Sequence, residues 1–296
     1  MREVIKVINY KCKNCGGQMS FGDAGSITCP YCGSKSFFSD EDFKENEIFR
    51  KRLLEYYKAK AEQKKLNYDV DFLWTSSGVE SFEMEEGQAF NIEFMKKFDY
   101  DGIECFLAKE NVVYIFDSQS DATLFLDGIN KLIFPPADDR LYRSFPELSA
   151  TFNLKFHKKA LAFKRRPNCY PASMFSPWDS EDLAWVISRM ENICCALNYS
   201  QKEHNGITMD SIWVDPILHE AVLFGDWRNI CELHGITDLI ALRKVAISLA
   251  KDTSSPKELY HFLNSEPEQD AFADFKKWDE VIKNGFGGHK FKKMEF

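Results

Sequence analysis

Two cysteine pairs near the amino terminus restrict the fold more than any other feature of this 296-residue chain. Cys12 and Cys15 form one CxxC pair, Cys29 and Cys32 form a second, and 13 residues separate the two pairs. Two intervening residues let both sulfurs of a pair turn toward one ion, and four thiolates suit a tetrahedral structural metal site. Because so short a segment buries little apolar surface, we expect the metal to hold it folded.

Glycines follow both pairs, at Gly16, Gly17 and Gly33, and they free backbone N–H groups to point at the sulfurs. With these glycines, roughly residues 9–38 resemble a rubredoxin-like zinc ribbon. The ligands alone do not separate zinc from iron, and free or redox-active cysteines are the alternative reading. Four thiolates already close the site, so a structural rather than a catalytic metal is expected.

Composition excludes some classes of function. The net charge is −8 and the pI about 5.4, which argues against a dedicated binder of nucleic acid or of anionic membranes. The sequence predicts neither a secretory signal nor a membrane span. Nine cysteines without a signal favour a reducing cytoplasm. Five of the nine lie in apolar contexts and are expected to be buried: Cys105, Cys169, Cys194, Cys195 and Cys231.

Changes in composition divide the chain into three parts. We predict a ribbon over 1–38, a solvated helical linker over 39–65 and a body over 66–296. Short apolar runs between turn signals predict strands in the first part of the body, at 72–78, 88–98, 102–108 and 111–116. Helical spacing follows at 121–134, and then two strands joined by a tight turn at 152–166.

The chain becomes helical after Pro177. Ser180 opens a helix that runs to about residue 201, with Leu183, Ile187 and Met190 on one face. Further helices are predicted at 236–250, 256–264 and 270–286. The fold class is therefore α+β, with strands first and helices after them.

Between the first two of these helices lie HNGITMDSIWVDP (204–216) and EAVLFGDW (220–227). With the order of elements around them, these segments resemble the protein-kinase-like superfamily. More narrowly, residues 70–296 resemble degenerate bacterial kinase-like domains that carry a zinc ribbon. The resemblance implies two lobes, a β-rich small lobe over about 66–170 and an α-helical large lobe over about 171–296.

The resemblance also implies which chemical groups are missing. His204 stands at the histidine of the catalytic loop, Gly206 at its aspartate and Ser211 at its metal-binding asparagine. Glycine cannot accept a substrate proton, and serine is a poor magnesium ligand. Asp226 or, in a second register, Gly225 stands at the aspartate of the Asp-Phe-Gly motif. We prefer Asp226, which would leave one cofactor-binding group; a turn-capping aspartate is the alternative.

The nucleotide-binding half is equally reduced. No G-x-G-x-x-G occurs, and EEGQAF (85–90) has a single glycine. Tyr114 or a neighbour replaces the phosphate-pairing lysine, which makes Asp127 a plain surface charge rather than its partner. Ten residues separate Trp227 from Asp238, too few for an activation segment. Asp238 matches the helix aspartate that braces the catalytic loop.

These features favour a zinc-ribbon pseudokinase that acts as a cytoplasmic interaction or regulatory scaffold. We expect no catalytic residues, structural zinc, no use of ATP and magnesium, and another protein as partner rather than nucleic acid or membrane. One alternative is a divergent phosphotransferase or nucleotidyltransferase that uses Asp226 as metal ligand. A second is a nucleic-acid-binding ribbon with a passive body, although the basic clusters are limited to FKRR (163–166) and KKFD (96–99).

Overall fold

A computed structural model describes four short strands near the amino terminus and then residues 71–135, 141–250 and 255–288. The short strands form two antiparallel hairpins, β1 (Asn9–Lys11) with β2 (Gln18–Ser20) and β3 (Ser26–Thr28) with β4 (Lys35–Phe37). In sequence, each CxxC pair falls between the two strands of one hairpin. The four cysteines and the linker 39–65 lie outside the described residues, so the zinc ribbon and its ligands stay predictions.

The small lobe is a six-stranded antiparallel sheet with one helix. The strands pair in the order β5-β6-β7-β8-β10-β9, and the helix α1 separates β8 from β9 along the chain. Their bounds are β5 (Gly78–Glu83), β6 (Ala89–Tyr100), β7 (Ile103–Ala108), β8 (Asn111–Phe116), α1 (Gln119–Asn130), β9 (Leu148–Asn153) and β10 (Lys159–Lys164).

This sheet curls until its two outer strands meet. Met84 and Leu154 form an isolated antiparallel bridge, and the N–H of Lys155 donates to the carbonyl of Glu83 at 2.8 Å. The concave side is filled by phenylalanines, with the rings of Phe82 and Phe94 packed edge-on against Phe106. The curl therefore buries one apolar face within the sheet and leaves the other face to pack on α1 and the large lobe.

Four helices build the large lobe: α2 (Ser180–Tyr199), α3 (Thr237–Leu249), α4 (Lys257–Asn264) and α5 (Ala271–Phe286). The carboxylate of Asp179 caps α2 by accepting from the N–H groups of Glu181 and Asp182. Between the helices, the buried guanidinium of Arg243 contacts Asp274 at 2.7 Å and Glu191 at 3.3 Å. This buried cluster ties α2, α3 and α5 together.

Two small sheets lie beside α2 and frame the site. In one, β13 (Ile212–Asp215) pairs with both β11 (Tyr170–Pro171) and β14 (Glu220–Leu223). In the other, β12 (Lys202–Glu203) pairs with β15 (Cys231–Glu232). The segment from Glu203 to Ser211 connects these two sheets.

Most predicted elements are confirmed, but several boundaries are wrong. Strand β9 begins at Leu148 rather than at residue 152. Only Gly78 of the predicted strand 72–78 enters the sheet. The carboxylate of Asp71 instead contacts the Arg165 guanidinium and accepts from the Tyr170 hydroxyl at 2.7 Å, which anchors this stretch beside the connection between the lobes. Helix α1 ends at Asn130 rather than residue 134, since a tighter bond from Leu132 N–H to the Ile129 carbonyl closes it before the prolines.

The burial predicted for five cysteines is confirmed for three of them. Cys105, Cys169 and Cys194 are buried, whereas Cys195 and Cys231 are partly exposed. Cys231 lies on strand β15, which has only two residues and therefore shields little of the cysteine from solvent. Within the parts of the chain that the structure describes, no helix is both long and apolar enough to cross a bilayer.

Candidate functional site

The loop 204–211 is held by a carboxylate from α3. Asp238 accepts from the backbone N–H of His204 at 2.7 Å and from that of Asn205 at 2.9 Å. Burial raises the pKa of the Asp238 carboxyl to about 6, and the two N–H groups oppose that rise. The sequence prediction that Asp238 braces this loop is confirmed.

His204 supports the loop from inside. Its Nδ1 accepts from the N–H of Gly206 at 3.1 Å, and its ring lies 4.5 Å from that of Trp227 in an edge-on contact. Burial lowers the pKa of His204 to about 4, so the imidazole is neutral with its proton on Nε2. Since Gly206 has no side chain, this part of the loop presents no group that could accept a proton from a substrate.

Ser211 uses its hydroxyl within the loop. The Oγ accepts from the N–H of Thr208 at 2.7 Å and donates to the Thr208 carbonyl at 3.0 Å. Gly225 passes close beside it with φ of +107°, and a Cβ there would meet the Cβ of Ser211 at 2.7 Å. Ser211 therefore closes a turn and packs on Gly225, and both of these hydroxyl hydrogen bonds stay within the loop.

The carboxylate of Asp226 is bound by the side chain two residues later. Arg228 donates from Nε to both oxygens, at 3.0 and 3.1 Å, and from Nη2 at 2.9 Å. The N–H of Arg228 adds a fourth bond at 2.9 Å. This contact raises the pKa of the Arg228 guanidinium, which therefore keeps its positive charge.

Arg228 also reaches the small lobe. Its Nη2 donates to the carbonyl of Asp101 at 3.0 Å and lies 3.5 Å from that of Tyr100. These carbonyls belong to the β6–β7 turn, whose central residues Asp101 and Gly102 both have positive φ, as a two-residue hairpin requires. The turn occupies the place of the Gly-rich loop in the kinase order of strands. The glycine-bearing segment 85–90 lies instead between β5 and β6. Strand β5 is an additional strand that precedes those of the kinase order.

Tyr114 lies on β8. If the additional strand β5 is left out, β8 is the third of the five strands of the small lobe. In a kinase, the third strand carries the lysine that pairs with the phosphates. Tyr114 is fully buried, and its hydroxyl accepts from the N–H of Gly225 at 3.0 Å. The Phe125 ring of α1 packs against it at 4.8 Å, while Asp127 points outward and is exposed. Two packed aromatic rings thus join β8 to α1 at this point.

Aromatic side chains also connect the two lobes. Tyr100, at the end of β6, donates its hydroxyl hydrogen to the carbonyl of Asp210 at 2.8 Å. Trp213 on β13 donates to the same carbonyl at 2.9 Å, and its ring lies 6.1 Å from Phe98. The small lobe is thereby joined to the loop 204–211 by its own side chains. Sequence reasoning missed this role of Tyr100 and Trp213.

Helix α1 packs against the backbone of the site. Gly128 faces Trp227 so closely that a Cβ at Gly128 would lie 2.1 Å from the Trp227 carbonyl oxygen. The backbone of the Asp226–Trp227 segment therefore packs directly on the helix.

The curled sheet with one inserted helix, followed by a helical lobe that braces the loop 204–211, defines a protein-kinase-like fold. No protein-family model and no curated protein matches the chain. Solved structures do match. WbdD is 15% identical with a TM-score of 0.47, over 66% of this chain and 47% of that chain. The BubR1 kinase domain is 10% identical with a TM-score of 0.49, over 80% and 92%.

Vaccinia related kinase 3 is 10% identical with a TM-score of 0.42, and the match covers 86% of each chain. One WbdD structure is described as a bifunctional kinase-methyltransferase. The match spans just under half the length of WbdD.

Proposed function

We propose that the body of this chain is a kinase-like domain that transfers no phosphate and acts by binding another protein. In this proposal the amino-terminal ribbon holds one structural zinc ion through Cys12, Cys15, Cys29 and Cys32. The observation that carries the proposal is the ion pair between Asp226 and Arg228.

Phosphoryl transfer needs a metal held by carboxylate or amide oxygens, a cation on the phosphates and a residue that orients the nucleophile. Asp226 alone has suitable metal-binding chemistry at these positions, and its carboxylate already holds the guanidinium of Arg228. A magnesium ion would have to displace that guanidinium, whose side chain is only 19% exposed. Separating a largely buried ion pair is costly, because each charge is left without its partner.

The space for a nucleotide is reduced as well. A kinase covers the phosphates with its Gly-rich loop and pairs them with the lysine. In this chain the corresponding turn is held down on the large lobe by Arg228 and Tyr100, and Tyr114 brings a neutral ring to the lysine position. These contacts support a cleft closed by the protein itself.

The test is phosphate transfer by the full-length protein supplied with magnesium and ATP labelled at the terminal phosphate. We expect no label on the protein itself or on generic protein substrates, and no phosphate release above that of Asp226→Ala. Arg228→Gly restores the glycine of the kinase motif and frees Asp226, and it should also stay inactive because Gly206 and Tyr114 remain. Transfer by the wild type that Asp226→Ala abolishes would overturn the proposal in favour of the phosphotransferase alternative.

A further inference from the structure

Helix α3 carries two isoleucines on the side that faces away from the core of the large lobe. Its inner side is buried and includes Asp238 and Leu242. Ile240 is 39% exposed, Ile247 is partly exposed, and Lys244 lies between them on the same outer side. Positions 240, 244 and 247 have the i, i+4, i+7 spacing of a single helix face. The outer side of α3 is therefore a surface that a further segment can cover.

The amino-terminal hairpin of the same chain lies beside this helix. Cα atoms of β1 come within 8 Å of Cα atoms of α3, although the two elements are far apart in sequence, and β2 lies equally close to β3. In the register of β1 with β2, Tyr10 is opposite Met19, whereas the other two pairs are polar. Residues directly opposite each other in an antiparallel pair share one face of the hairpin. The hairpin that reaches α3 therefore has one apolar pair to place against an apolar surface.

This hairpin also carries half of the predicted metal site. Cys12 directly follows the last residue of β1, and Cys15 lies between β1 and the start of β2 at Gln18. Because a ribbon of this length buries too little apolar surface to fold alone, we expect the hairpin to need the metal to keep its shape. The predicted metal ligands are thus adjacent in sequence to the strand that reaches α3.

The inner side of α3 holds the loop of the candidate site. There Asp238 accepts from the N–H groups of His204 and Asn205. Helix α3 therefore has the loop 204–211 on one side and the hairpin on the other. A helix that is packed on both sides loses stability when one of the two layers is removed.

We propose that the β1–β2 hairpin docks on the outer side of α3, at Ile240 and Ile247, and that the zinc ion of the ribbon thereby stabilises the large lobe. The occupant of this surface is a segment of the same chain, not a second copy or another protein. The zinc part of the inference rests on the proposed function, whereas the docking does not. Neither part depends on whether the protein transfers phosphate.

A crosslinking experiment tests the docking. A photoreactive phenylalanine analogue replaces Lys244, which is exposed between the two isoleucines, in the purified full-length protein. The matched control carries the analogue in place of Phe272, which is 49% exposed on α5. After irradiation, mass spectrometry should find position 244 joined to residues 9–20 of the same chain, and position 272 should not be joined to that segment. Products between two chains, or no product with residues 9–20, would overturn the docking.

Thermal unfolding with and without metal tests the coupling. All six tryptophans lie between residues 74 and 278, so their fluorescence reports unfolding of the body and not of the ribbon. Removal of the metal by a chelator should lower the melting temperature of the wild type by about 3 °C or more. In Ile240→Ser with Ile247→Ser the difference should shrink to about 1 °C or less, because the hairpin no longer docks. Phe272→Ser should keep the full difference.

Each variant is compared with its own metal-free form, so a general loss of stability does not imitate the result. Equal differences in the wild type and the double variant would overturn the coupling. A wild type that loses its metal without a change in melting temperature would overturn it as well. Elemental analysis separates this inference from the proposed function. A chain that binds no metal would refute the zinc site and the coupling, and the crosslink from position 244 would still decide the docking.

Discussion

The guanidinium of Arg228 lies against the carboxylate of Asp226, with Nε 3.0 and 3.1 Å from its two oxygens. In the register that we prefer, Arg228 stands where the kinase motif has a glycine, and its guanidinium binds the carboxylate at the aspartate position of that motif. The same guanidinium bonds the Asp101 carbonyl of the small lobe at 3.0 Å. One side chain therefore supplies a cation to the site and links the two lobes.

The packing of α1 on the Asp226–Trp227 segment predicts a strong effect of one methyl group. Gly128→Ala should destabilise the fold by about 2–4 kcal/mol, because the new Cβ would lie 2.1 Å from a backbone oxygen that cannot rotate away. Gly235→Ala is the matched control, since no atom lies within 4 Å of its added Cβ. Urea unfolding of both variants measures the difference, and equal stabilities would show that α1 does not contact this segment as described.

The hydrogen bonds from the loop to Asp238 predict a second difference in stability between two variants. Asp238→Ala leaves the N–H groups of His204 and Asn205 without their acceptor and should cost about 2–4 kcal/mol of unfolding free energy. Asp127→Ala removes an exposed carboxylate on α1 and should change stability by less than about 0.5 kcal/mol. A small effect at Asp238 would mean that the loop keeps its shape without this contact.

Buried neutral histidines predict a dependence of stability on pH. Burial lowers the pKa of His204 and of His219 to about 4, so the unfolded chain, whose histidines titrate near 6.5, binds more protons between those values. Stability should therefore fall as pH decreases from about 6.5 to 4, by at most about 3 kcal/mol for each histidine.

Asp238 opposes this trend, because its pKa is raised to about 6 and the folded state binds its proton more readily over the same range. The measurement is therefore a comparison of slopes between proteins. His204→Gln and His219→Gln should each lose less stability than wild type between pH 6.5 and 4.5. Slopes identical to that of wild type would contradict a buried neutral imidazole.

The cysteine spacing predicts one zinc ion per chain. Elemental analysis of the purified protein should give a zinc-to-protein ratio near one, since two CxxC pairs supply one tetrahedral set of thiolates. Cys12→Ser with Cys29→Ser should abolish the bound metal. Cys231→Ser, at a partly exposed cysteine outside the pairs, should retain it. Iron in place of zinc would change the identity of the metal but not that of the four cysteine ligands. An unchanged metal content in the double variant would refute the assignment of these ligands.

Most strands and helices of the body followed from local patterns, because alternation and helical spacing act over a few residues. Strand β5 was not predicted beyond its first residue, Gly78. The stretch after Asp71 was misread as a strand, since contacts with Arg165 and Tyr170, nearly a hundred residues away, decide its path. In the site, His204, Gly206, Ser211 and Asp238 were found through motif positions.

The contacts between the two lobes could not be predicted from sequence motifs. Tyr100 meets Asp210 across 110 residues of sequence, and no motif marks either residue. Arg228 lies only two residues after Asp226, but its contact with Asp226 depends on the turn that the backbone makes there. Long-range packing, rather than local propensity, thus closes the site.

Binding of ATP tests the central claim most directly. Thermal unfolding of the full-length protein is followed with and without millimolar ATP and magnesium, and with Asp226→Ala as the control. Ligand at a hundredfold excess over its Kd would stabilise the fold by about 2.7 kcal/mol and raise the melting temperature by several degrees. We predict no magnesium-dependent shift in either protein. A clear shift in the wild type that Asp226→Ala abolishes would contradict a cleft closed by Arg228, Tyr100 and Tyr114.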